Sequence, residues 1–382
     1  MHLAINGYFL DKPTTGTGQY TLQLLQQLET LWPSELSILV PASFNRDAFA
    51  LHLSKATLHV LPVPFSGQLG KVWFEQRAMP QAAQRLGADL LHIPYFGPPL
   101  RSSVPVIVTI HDLIQLTMPQ LRGGPLVRLY NRMATAGACR AASILADSEH
   151  TRRMVLAHLP VKSEEVRRVY LAAEQRFCPE AEHGEREHLR ERYHLEGPFL
   201  LYMGGLDRRK NLPTLIRAYA RAQCTAPLAI AGAARSSKSA SFPDLQEEAR
   251  QAGVAHKVRF LGWVDEEDKP ALYRAAQLFI FPSRSEGFGL TPLEALACGT
   301  PVICSNATSL PEVVGDAALL FDPDDEARLA ELIQRAASDS ALRDQLRAKG
   351  IQQARQFSWR TTAEETIKVY HLALRKERLP IA

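Results

Sequence analysis

Glu286-Gly287-Phe288-Gly289-Leu290-Thr291-Pro292-Leu293-Glu294 is the stretch from which the rest of the chain can be read. It holds two carboxylates eight positions apart, a loop thinned by glycine and a helix start. Just before it, Gln277-Leu278-Phe279-Ile280-Phe281 is apolar and of strand length. The segment therefore reads as strand, glycine loop, helix N-terminus. Thr291 and Glu294 have the spacing of a capping box, Thr291 as N-cap and Glu294 at N3, with Pro292 at the first helical position. That predicts a helix over Leu293–Cys298, closed by Gly299 at C′. A helix start presents unpaired N–H groups and a partial positive charge, so it suits an anion. The plainer alternative is that Glu294 only completes its box and Glu286 is a solvated loop carboxylate.

A second turn of the same kind runs from Leu200 to Asn211. Leu200–Met203 reads as a strand, Gly204-Gly205 as its turn, and Arg208-Arg209-Lys210 as three successive cations before a helix that opens near Asn211. Like charges on a short loop repel, and a bound polyanion relieves the repulsion. Each charge-assisted hydrogen bond to it would contribute about 1.5–3 kcal/mol. A diphosphate held between this turn and the helix at Pro292 is the sharper reading; a solvated basic loop is the alternative.

Outward from these turns, short apolar runs alternate with helical patterns. Strands are expected at Leu3–Asn6, Leu36–Val40, Thr57–Val63, Asp89–Ile93, Val104–Ile110 and Ser143–Ala146. The second half repeats the scheme at Phe199–Met203, Leu228–Ala231, Val258–Leu261, Leu278–Phe281, Pro301–Cys304 and Leu319–Phe321. Strands apolar throughout, separated by helices, imply parallel sheets covered on both faces. The fold class is α/β with two doubly wound halves. Residues 1–175 form the first domain, 176–197 a polar linker and 198–360 the second domain. A last amphipathic helix, about 361–382, carries Ala363, Ile367, Tyr370 and Leu374 on one stripe. Gly16, Gly18, His111, Arg209, Lys210 and Glu286 all follow predicted strands, on the edge where open α/β sheets bind ligands. Two such edges facing each other would form a cleft.

Composition narrows the class. At 382 residues the chain suits two domains, and 46% hydrophobic with 22% charged residues suits a soluble protein. No run reaches 18 apolar residues, and the start Met-His-Leu-Ala-Ile lacks a basic flank, so neither a spanning helix nor a signal peptide is expected. Five cysteines without Cys-x-x-Cys spacing read as reduced, mostly buried thiols of a cytoplasmic protein. A net charge of +4 argues against nucleic acid as a partner. No metal is expected: there is no His/Cys cluster of ligand spacing, and Asp322-Pro323-Asp324 reads as a helix cap.

Thr14–Tyr20, Thr109-Ile110-His111-Asp112-Leu113, Ala146-Asp147-Ser148-Glu149, Arg209-Lys210-Asn211, Phe281-Pro282-Ser283 and the Glu-x7-Glu of 286–294 occur in an order and spacing that span nearly the whole chain. In these segments the chain resembles the retaining glycosyltransferases of family 4, the glycogen synthase-like group 1 superfamily. Around Gly16 and His111 it resembles the mannosyltransferase-like branch. The resemblance implies the GT-B fold, two Rossmann-like domains facing across a cleft, with the last helix crossing back onto the acceptor-side first domain. It implies no cofactor, a nucleotide-diphosphate sugar such as GDP-mannose or a UDP-sugar as donor, and a glycan, lipid-linked saccharide or small molecule as acceptor. Same-face attack, with a donor phosphate oxygen drawing the acceptor proton, is the mechanism it implies.

Residue by residue, the resemblance gives His111, Glu286 and Lys210 catalytic roles. It gives the donor Gly16, Gly18, Gly205, Arg209, Lys210, Val264, Glu286, the backbone N–H groups of Gly287, Phe288, Gly289 and Leu290, and Glu294 at the ribose diol. Asp112 falls on the acceptor side. Trp263-Val264 matches a base-binding turn, with an aromatic covering the sheet edge as the alternative for Trp263. Many members of the resembled family carry arginine where Gly205 stands, and Arg208 or Arg209 would compensate. The diol reading of Glu294 competes with its capping box.

Three other readings are weighed. A dinucleotide oxidoreductase needs Gly-x-Gly-x-x-Gly after the first strand, and Gly16-Thr17-Gly18-Gln19-Tyr20-Thr21 lacks the third glycine. A sugar-nucleotide epimerase and a non-catalytic nucleotide-sugar-binding protein share the architecture. Leu121–Arg132 mixes cations with apolar residues, so peripheral contact with the inner face of a membrane stands beside a solvated helix at the cleft rim.

Overall fold

The computed structural model describes residues 1–48, 54–118, 123–233 and 242–378. Leu121 and Arg122 of the basic apolar run, and 379–382 of the expected last helix, lie outside the described residues. The chain divides into two compact units, Met1–Leu171 with the segment from Trp359 onward, and Ala172–Ser358.

The first unit is built on seven parallel strands: β1 (Leu3–Asn6), β2 (Leu36–Pro41), β3 (Ala56–Leu61), β4 (Leu90–Ile93), β5 (Val106–Ile110), β6 (Ser143–Ala146) and β7 (Val166–Arg168). Their order is β3-β2-β1-β4-β5-β6-β7. Its helices are α1 (Gly16–Leu31), α2 (Gly67–Trp73), α3 (Met79–Arg85), α4 (Ile114–Thr117), α5 (Pro125–Ala138) and α6 (Glu149–His158). Residues of β1, β2, β4, β5 and β6 are buried throughout, as strands covered on both faces must be. Strand β7 was not legible: Arg167 and Arg168 are exposed, and an edge strand of this length carries no apolar run.

The second unit holds α7 (Glu185–Tyr193), then β8 (Leu200–Met203), α8 (Leu212–Ala222), β9 (Leu228–Ala231), α9 (Leu245–Gln251) and β10 (Val258–Gly262). It continues with α10 (Lys269–Ala275), β11 (Leu278–Phe281), α11 (Leu290–Ala297), β12 (Val302–Ser305), α12 (Leu310–Val314), β13 (Ala318–Phe321), α13 (Glu326–Ser338) and α14 (Ser340–Ala354). Its six strands are parallel in the order β10-β9-β8-β11-β12-β13. Residues 176–197, read as a linker, therefore contain a helix. Leu189 and Tyr193 of α7 are buried in the second unit's core, and Arg274 of α10 pairs with Glu185.

The last helix, α15 (Trp359–Arg378), belongs to the first unit. Tyr370 meets Trp32 at a ring distance of 5.7 Å, and its hydroxyl lies 2.7 Å from Nδ1 of His92 on β4. The five cysteines are free thiols, with Cys224, Cys298 and Cys304 buried. No helix among the described residues is long and apolar enough to cross a membrane.

Each sheet reverses its winding once, between β1 and β4 in the first unit and between β8 and β11 in the second. Loops diverge at such a point and leave a crevice beyond the carboxyl ends of the strands. The Gly204–Lys210 turn follows β8 and the 282–289 loop follows β11, so two segments remote in sequence share one crevice.

Candidate functional site

In the second unit, Arg208–Lys210 form a 3-10 turn capped by Asp207, whose carboxylate accepts the Arg209 N–H at 3.1 Å. Asn211 adopts φ +58° and starts α8. This tight turn drives the Lys210 side chain inward, so that Lys210 is only 8% exposed while Arg208 stays in solvent. Across the crevice, the loop after β11 is stapled to its surroundings. The Glu286 N–H donates to Thr308 Oγ1 at 3.0 Å, and Ser309 Oγ donates to the carbonyls of Glu286 and Phe288. Arg284 N–H donates to the Arg209 carbonyl, and Arg209 Nη1 to the Ser285 carbonyl at 2.7 Å.

These contacts bring the two turns onto one carboxylate oxygen. Glu286 Oε1 accepts from Lys210 Nζ at 2.6 Å and from Ser283 Oγ, and lies 3.2 Å from Arg209 Nη1. Glu286 Oε2 takes part in none of these bonds. Burial alone would raise the Glu286 pKa; Lys210 and Arg209 outweigh it and hold the carboxyl below its usual range. Burial lowers the Lys210 pKa, Glu286 opposes that, and the net shift is downward. Lys210 Nζ also sits 4.9 Å from the Phe281 ring centre. An ammonium has three N–H donors, so Lys210 can hold Glu286 and still bind an anion.

The helix beyond this loop begins earlier than the capping box implied. Helix α11 opens at Leu290 with Gly289 as N-cap, and no side chain caps it. Gly289 adopts φ +116°, a conformation that favours glycine, and a Cβ there would also lie 2.9 Å from Leu310 Cδ2. Thr291 and Pro292 therefore lie inside the first turn. The N–H groups of Leu290 and Thr291 fall among those a helix cannot satisfy internally. At the other end Gly299, φ +73°, closes α11 as expected. Glu294 is released from the box: its Oε2 accepts from the Tyr273 hydroxyl at 3.0 Å. Burial pushes its pKa up to about 7, against the opposing pull of Lys269 and Tyr273.

Among the other second-unit candidates, Gly205 lies where a Cβ would approach Asp207 Oδ2 to 3.2 Å. The Phe288 side chain is buried against Phe357, which leaves only its backbone to face a ligand. Val264 is buried in the core, and Trp263 is half exposed. The cap expected of Asp322-Pro323-Asp324 belongs to the next residue: Asp325 accepts the Arg328 N–H, and Asp324 pairs with Arg284.

In the first unit, three adjacent strands end on one cluster. His111 follows β5, Asp147 follows β6 and Pro94 follows β4. His111 Nδ1 lies 2.5 Å from Asp147 Oδ2, and Nε2 lies 3.0 Å from the Pro94 carbonyl. Both ring nitrogens face acceptors, which favours the imidazolium form. Burial would lower the His111 pKa, but Asp147 overcomes it and the net shift is upward. Burial likewise lifts the Asp147 carboxyl, so the pair retains its proton. Beneath it, Thr109 Oγ1 bonds Tyr20 and His92, and Tyr20 meets the His111 ring edge-on at 4.9 Å. His92 is held neutral, its pKa pushed down to about 3 by burial and by His111.

Thr15 caps α1 by accepting the Gly18 N–H at 3.1 Å, and a Cβ on Gly18 would lie 2.1 Å from the Lys12 carbonyl oxygen. Gly16 faces open space. Asp112 is exposed and accepts the Ile114 N–H at the start of α4. The partners Asp147, Ser283, Thr308, Ser309 and Tyr273 were not assigned from sequence. Of these, Asp147 and Ser283 carried a signal, in the Ala146–Glu149 and Phe281–Ser283 segments.

Comparison with known proteins places this geometry in a family. The description "Glycosyltransferase Family 4" matches residues 14–173, and "Glycosyl transferases group 1" matches residues 185–355. The O-antigen chain mannosyltransferase B of Escherichia coli is 31% identical over 375 residues, covering 94% of this chain and 97% of that protein. The sucrose-phosphate synthase of Thermosynechococcus elongatus superposes with a TM-score of 0.79 at 21% identity, covering 98% of this chain and all of that one. Anabaena HepE, solved with UDP and glucose, gives 0.76 at 18% identity, covering 97% of this chain and 99% of its own.

Proposed function

Because the chain belongs to glycosyltransferase family 4, we propose that it moves a mannosyl group from a nucleoside-diphosphate donor to a hydroxyl of a growing glycan or lipid-linked saccharide in the cytoplasm, with retention and without a metal. The observation that carries this reading is the convergence of Lys210 and Arg209 on Glu286 beside the start of α11. A departing diphosphate gains negative charge, and preorganised cations and N–H groups stabilise that gain better than water can. Lys210, Arg209 and the N–H groups of Leu290 and Thr291 supply both.

The step breaks the bond between sugar C1 and the β-phosphate oxygen, and the electron pair leaves with the diphosphate. The acceptor oxygen forms its bond to C1 on the same face, and its proton passes to the departing phosphate oxygen. Glu286 Oε2 accepts a sugar hydroxyl, and the Glu294 carboxylate accepts the ribose diol. His111, with Nδ1 given to Asp147 and Nε2 to the Pro94 carbonyl, acts through its position and not as a base. The mannosyl assignment follows the name of the Escherichia coli relative.

A thermal-shift panel of GDP, UDP and ADP, each alone and as its mannose and glucose conjugate, tests the reading. A rise in unfolding temperature with one nucleoside diphosphate and a larger or equal rise with its mannose conjugate is expected. No rise with any nucleotide overturns it.

A further inference from the structure

At the switch point of the first sheet, β1 and β4 lie side by side and the loops that follow them part. Those loops are aromatic: Tyr8 and Phe9 come after β1, Tyr95 and Phe96 after β4. Phe9 meets Tyr8 at a ring distance of 5.2 Å and Tyr95 at 4.9 Å, both edge-on. Tyr8 and Phe9 are only partly buried, so aromatic surface stays open at this end of the sheet.

Against these rings stands a charged pair that the donor chemistry does not use. Helix α2 runs on into one π-helical turn, Phe74–Ala78, which carries Glu75. Such turns are rare and occur frequently at functional sites. Glu75 is fully buried. Its Oε1 lies 2.6 Å from Lys71 Nζ and accepts from the Tyr95 hydroxyl at 2.7 Å and the Tyr130 hydroxyl at 3.1 Å. Asn6, the last residue of β1, donates to the Tyr95 oxygen at 2.9 Å. A Cβ on Gly97 would come within 2.8 Å of both Glu75 Oε1 and the Tyr130 oxygen, so the loop after β4 leaves room for them. Burial lifts the Glu75 carboxyl above its ordinary range, against the pull of Lys71 and both tyrosines. Three donors point at Oε1, and a proton on Oε2 would meet no acceptor among the described residues. The carboxylate is therefore the form this geometry holds.

Lys71 Nζ sits among the rings of Tyr8, Tyr95 and Tyr130, at 5.8, 5.0 and 4.4 Å from their centres. It donates to the Tyr130 hydroxyl at 2.6 Å. With Glu75 and Tyr130 each taking one N–H, the ammonium keeps a third for a ligand, and its side chain is 14% exposed. Charge decides which ligand. At the donor turn Arg208, Arg209 and Lys210 stand against Asp207 and Glu286, which leaves positive charge for a diphosphate. Around Tyr8 the balance is even: Lys71 is matched by Glu75, and Lys12, 4.9 Å from the ring centre, by the neighbouring Asp11. Aromatic surface with matched charges and single donors suits a polyol and not a polyanion. A sugar ring lays its C–H face on an aromatic ring while its hydroxyls take the hydrogen bonds.

We propose that the crevice beyond β1 and β4 binds the acceptor as an uncharged sugar ring, with Lys71 donating to one hydroxyl and Tyr8 and Phe9 packing on the C–H face. Glu75 is a positioning residue: it fixes the ammonium, cancels its charge and so turns away acceptors that present a phosphate. Calling the sugar an acceptor rests on the transferase reading; its binding does not.

Saturation-transfer NMR titrations of the full chain, without nucleotide, test this with the methyl glycosides of mannose, glucose and galactose and with their 6-phosphates. At least one glycoside should receive saturation at its ring protons, and its 6-phosphate should bind about tenfold more weakly or worse. Lys71→Met should weaken that glycoside about tenfold, as loss of a charge-assisted bond does. Glu75→Gln should raise the phosphate about tenfold relative to its parent glycoside, because the Lys71 charge is then unmatched; a merely structural role would weaken both alike. Should either variant fail to fold, Tyr8→Leu, at a ring that is partly open, should weaken the glycoside about tenfold. Binding of none of the glycosides, a wild-type preference for a phosphate, an unchanged preference in Glu75→Gln, or full glycoside affinity in Lys71→Met or Tyr8→Leu overturns the proposal. Nucleoside diphosphates that stabilise the chain while no glycoside binds would sink this proposal and leave the donor reading standing; the reverse would sink the donor reading alone.

Discussion

Lys210 Nζ and Glu286 Oε1 lie 2.6 Å apart although 76 residues separate them in the chain. The contact exists because β8 and β11 are neighbours in the sheet and the chain winds away in opposite directions on either side of them. It joins the two turns that, read separately, each suggested an anion site.

Glu286→Gln should lower kcat by about 10²-fold or more while leaving nucleotide KM within a few-fold. The amide still accepts a hydrogen bond at one atom but no longer balances two cations or carries charge toward the sugar. Steady-state kinetics with donor and acceptor varied independently check this. A loss confined to acceptor KM would place Glu286 on the wrong substrate.

Glu294 links the donor site to pH. Its folded pKa of about 7 lies above the ordinary 4.5, so the folded state holds a proton that the unfolded chain has released. The stability from that proton is present below about 4.5 and disappears as pH rises through 7, on the order of 3 kcal/mol for a buried group. Wild type should therefore lose stability relative to Glu294→Gln between pH 5 and 8 in urea titrations. Parallel profiles would show that Glu294 is already ionised at pH 5. Nucleotide affinity should move oppositely, strengthening above pH 7 as the carboxylate becomes able to accept the diol.

Asp147→Asn removes the charge that raises the His111 pKa against burial. The imidazolium stability present below the unfolded value near 6.5, and lost as pH rises through the folded value, should shrink with it. The His111 Cε1–H resonance followed against pH should titrate lower in the variant than in wild type. An unchanged midpoint would mean that Asp147 does not set the protonation of His111.

Gly18→Ala would place a Cβ 2.1 Å from a backbone oxygen that cannot rotate away. The start of α1 must shift, at a cost of about 1–3 kcal/mol, read as a lower unfolding temperature. Gly16→Ala, in open space, should cost less than 1 kcal/mol by the same measure, or about nothing. Equal losses would contradict the packing described around Gly18.

Twelve of the thirteen strands were legible, most of them because buried parallel strands announce themselves as apolar runs; the short edge strand β7 was not. The helix start after β11 was misread for a local reason: Thr291 and Glu294 have capping spacing, but Gly289 can adopt φ +116° and turn the chain into a helix earlier. The polar 176–197 stretch hid α7, whose buried face consists of just Leu189 and Tyr193. The His111–Asp147 pair was out of reach for another reason. It depends on β5 lying beside β6, which is a property of strand order and not of any local pattern.

Calorimetric titration of the preferred nucleoside diphosphate into wild type and Lys210→Ala tests the central claim most directly. Loss of one charge-assisted bond to the diphosphate should weaken binding about ten- to a hundredfold, with the circular dichroism spectrum unchanged. Affinity within about twofold of wild type would contradict the account, because the ammonium beside Glu286 would then have no part in holding the leaving group.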